Sequence, residues 1–434
     1  MTHLDVLVLG AGPVGNYLSG LIAKKFPNAS ITIADCTSNT DYLSTRTQVN
    51  SNIGYSINAS RPSLFEGPEK IWGGALMKWP RMILHQHGLT DDCHPLNFLE
   101  IATNELIDDL RIPSTEFQPE YLGVGNALLM NAVVYPNREI SNLSKYRNIR
   151  LKSHVIAKAI TDFSDQSVTV EFISASGNTF EIVCSQLLIC LGTLETTRFL
   201  LSSQEILGIN QSLGTNITDH INFSLGTFQS DEVDLEIDRL LVRRSLNEFM
   251  VWPRLFIGHE DGPDFFLHFR KISHSKLWKS TLSKIHHLGK FNEIEVMLFA
   301  EVMPSPERRV YKDPRAKNDK IVVDFQLGPK DLEVFNRIRE SSIDFLRKEL
   351  GVKGSFLSLN RDVQLSDLED TRHSAGTTPI SDKPFNGVVN QNYQLQNANN
   401  VRIIGNSLLP RSSATHPTMT ALAFARHALN YFEL

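Results

Sequence analysis

The segment from Leu4 to Asp35 constrains this chain most. Leu4-Asp-Val-Leu-Val-Leu9 is a short apolar run that passes straight into Gly10-Ala-Gly12-Pro-Val-Gly15 and then an apolar helix over 16–26. A second strand, Ser30 to Asp35, ends on an acid 20 residues past Gly15. Strand, glycine turn, helix, strand and acid in this order form the dinucleotide-binding fingerprint. Gly10 permits the tight turn, Gly12 lets backbone approach a pyrophosphate, and Gly15 lets helix and strand pack closely. The helix start offers unpaired N–H groups and the positive end of its dipole to phosphates. Asp35 can accept from a ribose hydroxyl, which favours FAD or NAD over NADP.

A length of 434 residues asks for two domains. The net charge of −5 gives no reason to expect nucleic acid or an anionic membrane as partner. No run of 18 apolar residues is present, so no transmembrane segment is expected. The N-terminus enters a strand almost at once, without a basic region or cleavage site, and the expectation is a cytoplasmic protein. Cys36, Cys93, Cys184 and Cys190 are scattered without metal spacing. No metal site and no disulfide are expected.

Residues 36–70 are polar and read as loops. Lys70-Ile-Trp72-Gly73-Gly74-Ala-Leu-Met-Lys78-Trp79 follows. Two glycines between tryptophans suit backbone laid against a flat group, although a turn with two packed indoles reads the same way. A helix over 97–110 should bury Phe98, Ile101, Leu106 and Leu110. Strands are expected over 149–154, 155–160, 167–172 and 185–190. Leu191-Gly192-Thr193 is then a second strand–glycine–helix junction that can bring another helix start to the cofactor. Asp219-His220 reads as a pair tying a loop to the domain.

Residues 225–365 change character. Strands at 265–269, 294–299 and 320–325 precede a helix over 329–350, with apolar positions Leu332, Phe335, Ile338, Ile343 and Phe345. The expectation is an antiparallel sheet with helices, inserted in the nucleotide domain as a substrate domain. Phe249, Trp252, Phe256, Phe265, Phe266 and Phe269 read as core rather than pocket. In the tail, His373 and His416 stand 43 residues apart, on either side of the strand-like Val401-Arg-Ile-Ile-Gly405-Asn406-Ser407. His416-Pro417-Thr418 opens an apolar helix. The fold class is α/β and α+β: a Rossmann-like FAD-binding domain over 1–90, 148–224 and 366–434, with an inserted antiparallel-sheet substrate domain over 91–147 and 225–365.

These blocks together resemble the glucose-methanol-choline (GMC) flavin oxidoreductases. The glycine turn with Asp35 is similar to that family's FAD fingerprint, and Leu191-Gly192-Thr193-Leu194-Glu195-Thr196 to its block leading into a helix. Gly214-Thr-Asn216-Ile217-Thr-Asp219-His220 resembles its Gly-x-Asn-Leu-x-Asp-His motif. Glu301-Val-Met-Pro304-Ser-Pro-Glu-Arg-Arg-Val310 resembles a strand and turn of its substrate domain. The tail resembles its histidine–glycine–threonine block, its Val388-Val389-Asn390 stretch and its final helix opened by His-Pro. The order is the family's, and the resemblance spans nearly the whole chain.

The resemblance implies FAD and an active-site pair, His373 and His416. It implies that the Val155 backbone meets the adenine, and that Asn406 stands near the flavin where the family commonly has aspartate. The Gly73-Gly74-x-x-x-Lys78-Trp79 block looks most like pyranose oxidases and related sugar oxidoreductases. Lys78 falls where a covalently flavinylated member has histidine, so non-covalent FAD is expected. The implied function is oxidation of an alcohol or carbohydrate CH–OH group by hydride transfer to flavin, with an unspecified electron acceptor. A histidine suits the base, its unperturbed pKa being near 6.5; either histidine could reach the hydroxyl, and His373 is preferred. Pro417 and Thr418, at the helix start, would point N–H groups at the flavin. A lyase with redox-silent flavin and a flavoprotein without catalysis stay open as alternatives.

Overall fold

The computed structural model describes residues 3–36, 46–55, 74–86, 96–122, 127–134, 142–229, 244–246, 249–257, 262–271, 293–316, 319–352, 361–381 and 386–434. Five parallel strands build the nucleotide-type sheet: β1 (His3–Leu9), β2 (Ile31–Ala34), β3 (Ile149–Lys152), β4 (Thr179–Ile189) and β5 (Ala398–Ile403). Their order in space is β5-β4-β1-β2-β3. Sequence order therefore reverses between β1 and β4, and a ligand crevice lies beyond the carboxyl ends of strands at such a point. Gly10 follows β1 there, and Gly192 follows β4. Strand β4 begins six residues before the expected Ser185. Its first half pairs antiparallel with Val168–Ser174, and only its second half continues the parallel sheet.

Three helices matter for the crevice: α1 (Pro13–Lys25), α2 (Gly192–Ser202) and α3 (Thr418–Ala428). Helix α1 starts at Pro13, three residues before the apolar pattern suggests, because proline's fixed φ suits a first helical turn. The glycine turn is required by packing. Gly10 has φ +100°, and a Cβ on it would lie 2.5 Å from the Cys190 carbonyl oxygen. A Cβ on Gly15 would lie 2.0 Å from the Gly10 carbonyl oxygen. Lys25 Nζ donates to the carbonyls of Leu429 and Phe432, tying α1 to the end of the chain.

The helix Leu99–Asp109 lies against α3, with a phase that differs from the expected one. Leu99, Ala102, Thr103, Leu106 and Ile107 are its buried face, and Ile101 is 66% exposed. Spacings of three and four residues from Leu99 define one side of a helix, and Ile101 points to the other. The expected buried positions Leu106 and Leu110 stand, and Phe98 is partly buried.

The second sheet is antiparallel over most of its width. Its path runs Glu369–Asp370, His220–Gln229, Glu293–Glu301, Phe265–Lys271, Phe249–Ile257, Ala127–Val134, Ala75–Leu76. The two end strands, at 75–76 and 369–370, fall on the nucleotide side of the expected domain borders and yet pair into this sheet. A three-stranded sheet, Thr47–Ser51, Arg309–Lys312 and Ile321–Phe325, lies apart in pairing from both. The helix Pro329–Lys348 buries Phe335, Ile338, Ile343 and Leu346, with Leu332 and Phe345 partly covered. Phe249, Phe256, Phe265, Phe266 and Phe269 are buried core. Among the described residues no helix is long and apolar enough to cross a membrane. Cys184 and Cys190 are buried free thiols, and Cys93 lies outside the described residues.

The Gly15→Ala variant should lose about 1–3 kcal/mol by overpacking. It should also purify with far less flavin, because Gly10 and the helix start must shift together. Thermal unfolding with visible absorbance per polypeptide checks both effects.

Candidate active site

The site is assembled where the loop after Asp370 meets α2 and the loop at 212–219. Thr193 Oγ1 donates to the Ser374 carbonyl, and the Thr197 and Thr377 hydroxyls bond at 2.7 Å. Gly214 N–H donates to the Thr377 carbonyl at 2.8 Å. A Cβ on Gly376 would lie 2.4 Å from the Asn216 carbonyl oxygen, so only glycine lets the two loops approach this closely. Arg372 and Asn216 have φ of +68° and +57°, an uncommon backbone region for residues with a Cβ. His373 is thus presented from a loop held on two sides.

His416 comes from a different anchorage. Glu301 is fully buried and accepts from Arg411 Nε at 3.0 Å and from the Ser413 N–H at 3.1 Å. That pairing holds the segment leading to His416 against the end of the Glu293–Glu301 strand. Pro417 is the cap of α3 rather than its first helical residue; its carbonyl accepts from Ala421 N–H, and it has no N–H to leave unpaired. No side chain caps α3 or α1, so both helix starts keep backbone N–H groups open.

The His373 and His416 rings lie 5.4 Å apart between centroids, at 73°. A third imidazole completes the group. His220, expected only to tie a loop, is fully buried and places Nε2 3.0 Å from His373 Nδ1. Asp219 does tie the loop: its Oδ1 accepts from the backbone N–H groups of His220 and His373 at 2.8 and 3.0 Å. Phe266, placed in the core by its sequence context, also borders the group, its ring 6.4 Å from that of His416. Burial, with the charge of Arg372, pushes His373 down to about 4. Burial likewise holds His220 and His416 well below their ordinary value. All three imidazoles are neutral at physiological pH and can accept a proton.

The other sequence-predicted residues take varied positions in the fold. Asp35 lies at the carboxyl end of β2, but its Oδ1 accepts from the Ala11 N–H at 3.0 Å and so braces the glycine turn itself. Burial raises its pKa against that bond. Val155 is beside it, its N–H donated to the Asp35 carbonyl at 3.2 Å. Gly192 and Gly405 both have positive φ, and a Cβ on either would meet nothing within 4 Å. Asn406 Oδ1 is buried with no hydrogen-bond partner among the described residues. Gly74 is buried with φ +70°, and Lys78 Nζ donates to Asn104 Oδ1 at 2.7 Å. Gly73 lies outside the described residues. Open helix starts, unfilled space over two glycines and an orphaned amide oxygen fit a large dinucleotide cofactor.

A parallel sheet that reverses its winding beside a glycine-rich turn has the form of a dinucleotide-binding fold, and three buried imidazoles gather in the same molecule. Residues 305–425 match the family described as GMC oxidoreductase. The match covers that segment, and what the whole chain shares with solved structures is its fold. Its fold is similar to that of pyridoxine 4-oxidase from Mesorbium loti, at 13% identity and a TM-score of 0.61, covering 99% of each chain. It is also similar to a formate oxidase, at 12% identity and a TM-score of 0.59, covering 99% of this chain and 98% of that one. A formate oxidase variant from Aspergillus oryzae RIB40, studied for FAD modification, matches at 12% identity and a TM-score of 0.58, with the same coverage. No curated protein matches the chain.

Replacing Arg411 with methionine leaves the buried Glu301 carboxylate unpaired, at a cost of about 3–5 kcal/mol. The urea midpoint should fall accordingly, and Glu301→Gln in the same background should recover part of the loss.

Proposed function

We propose that the protein is an FAD-dependent oxidoreductase that oxidises the CH–OH group of a small alcohol or carbohydrate, with His373 as base. The supporting observation is the pair of neutral imidazoles, His373 and His416, held on separate anchorages beside a dinucleotide crevice. The glycine turn Gly10, Gly12 and Gly15 and the start of α1 would hold the pyrophosphate. Asp35 and Val155 lie on the adenosine side. Gly74, Gly192, Asn406, Pro417 and Thr418 would line the flavin ring. Bound FAD supplies the hydride acceptor.

His373 takes the hydroxyl proton as the carbon–hydrogen bond breaks, so the alcohol leaves as a carbonyl compound. His416 holds the same oxygen from the side, which fixes the carbon's approach. The open N–H groups at the start of α3 favour negative charge nearby. Burial serves this chemistry, because an imidazole already protonated could not act as base. Both similar structures bear the names of oxidases, which favours redox chemistry over the lyase alternative. The sugar preference rests on the block around Gly74 and Lys78. Domain borders at 1–90, 148–224 and 366–434 for FAD, and 91–147 and 225–365 for substrate, belong to the same proposal.

The experiment is anaerobic: sugars, glycosides, sterols and aliphatic alcohols are added to the purified protein while its flavin band is followed. Bleaching by one class supports the reading and names the substrate class; a band that no class bleaches counts against it. His373→Ala should keep its flavin and lose at least about 100-fold in turnover, and near-normal turnover would remove His373 from the role.

Lys78 carries an amine, half-buried and engaged with Asn104, where a covalent linkage would need a neutral imidazole. FAD should therefore leave the polypeptide on denaturation in SDS, and fluorescence that stays with the protein band contradicts non-covalent binding.

A further inference from the structure

The hydrogen bonds around His373 carry more information than its position. Thr371 has one hydroxyl hydrogen. Its Oγ1 lies 2.8 Å from the His220 carbonyl oxygen and 3.2 Å from Asp219 Oδ1, two groups that only accept. The hydrogen is committed to one of them. Toward His373 Nδ1, 3.1 Å away, the same hydroxyl is left to accept. An acceptor at that distance calls for a proton on Nδ1. His220 Nε2, 3.0 Å from the same Nδ1, then shares that proton as a second acceptor.

A neutral imidazole carries one N–H. With Nδ1 protonated, His373 keeps a bare lone pair on Nε2. With Nε2 accepting, His220 carries its own hydrogen on Nδ1. His220 Nδ1 is buried with no hydrogen-bond partner among the described residues, and the Ser413 backbone near the ring favours its protonated form. Ser413 is held in its φ of +54° by a bond from its N–H to Glu301.

We infer that Thr371 and His220 are positioning residues that lock His373 in the tautomer with Nδ1 protonated, making Nε2 the atom that takes the substrate proton. The inference rests on the oxidoreductase reading and deepens it. It also separates the two histidines: His416 has no comparable pair of acceptors among the described residues. Once His373 is protonated, both acceptors remain on its Nδ1–H and stabilise the cation without moving. The carboxylate of Asp219 contributes by fixing the backbone of both histidines, while Arg372 and His416 face the same ring. One nitrogen from each of His220, His373 and His416 lies within 4.8 Å of the others, a spacing a divalent cation could use.

Histidine tautomers are read directly by long-range proton–nitrogen correlation on flavin-loaded protein labelled with 15N-histidine and treated with EDTA. His373→Gln identifies its signals. The expected result is a protonated Nδ1 and a bare Nε2 for His373. Thr371→Val should admit the other tautomer, and Thr371→Ser should restore the first. His220→Gln, which keeps an acceptor near the lost Nε2, should leave the tautomer unchanged. Once a bleaching substrate is in hand, Thr371→Val should lose about 10–100-fold in kcat, as for other groups that orient a working imidazole, with serine recovering it. A wild-type His373 protonated on Nε2 overturns the inference. So does a Thr371→Val protein with an unchanged tautomer and unchanged kcat. Neither result touches the flavin-bleaching test, so the oxidoreductase reading stands or falls separately.

Discussion

One buried carboxylate joins the two halves of this molecule. Asp219 ends the loop that precedes the His220–Gln229 strand of the antiparallel sheet. Its Oδ1 accepts from the N–H groups of His220 and His373 and from the Thr371 hydroxyl. Its carbonyl accepts from Val302 N–H and from Ser412 Oγ. Three distant chain segments, at 302, 371–373 and 412, therefore converge on one residue. A carboxylate suits the task because ionised oxygens accept several bonds, each stronger than between neutral groups. An amide there could not accept as many with the same strength.

The crevice beside that junction follows from strand order. Parallel strands leave their carboxyl ends open where the winding direction changes, and two glycine junctions fall there. The packing forces glycine at Gly10, Gly15, Gly214 and Gly376, each of whose Cβ would strike a carbonyl oxygen. At Gly192 and Gly405 the opposite holds, since space is open over them. The first group keeps loops close together, and the second keeps room for a ligand. A scaffold that is dense below and open above is suited to hold a flat cofactor while its reacting side chains stay fixed.

The imidazoles illustrate how burial and chemistry agree. Removing them from water holds them neutral, and a neutral ring is what a proton acceptor must be. For His373 that burial is offset by the Thr371 hydroxyl and the His220 ring, which lie against its Nδ1. The ion pair of Glu301 with Arg411 anchors the segment that carries His416.

What the sequence determined by itself is what depends on near neighbours along the chain. The glycine turn, its flanking strands and the acid at Asp35 lie within 35 residues, and their spacing alone specifies strand, turn and helix. The order of blocks down the chain likewise pointed to the family, and the aromatic strands to a core. Short-range pattern failed where phase or pairing mattered. Ile101 fits an apolar list, yet falls on the wet side of its helix because the buried stripe starts at Leu99. Asp35 reads as a ribose acceptor, and the structure adds that its Oδ1 accepts from the Ala11 N–H, a bond the spacing does not announce. Only the tertiary structure decided the composition of the site. His220 and His373 are 153 residues apart, and nothing local to His220 shows that a second imidazole will lie against it. Which nitrogen of His373 bears the proton depends on where the single hydrogen of Thr371 is spent, and that is a matter of distances no sequence contains.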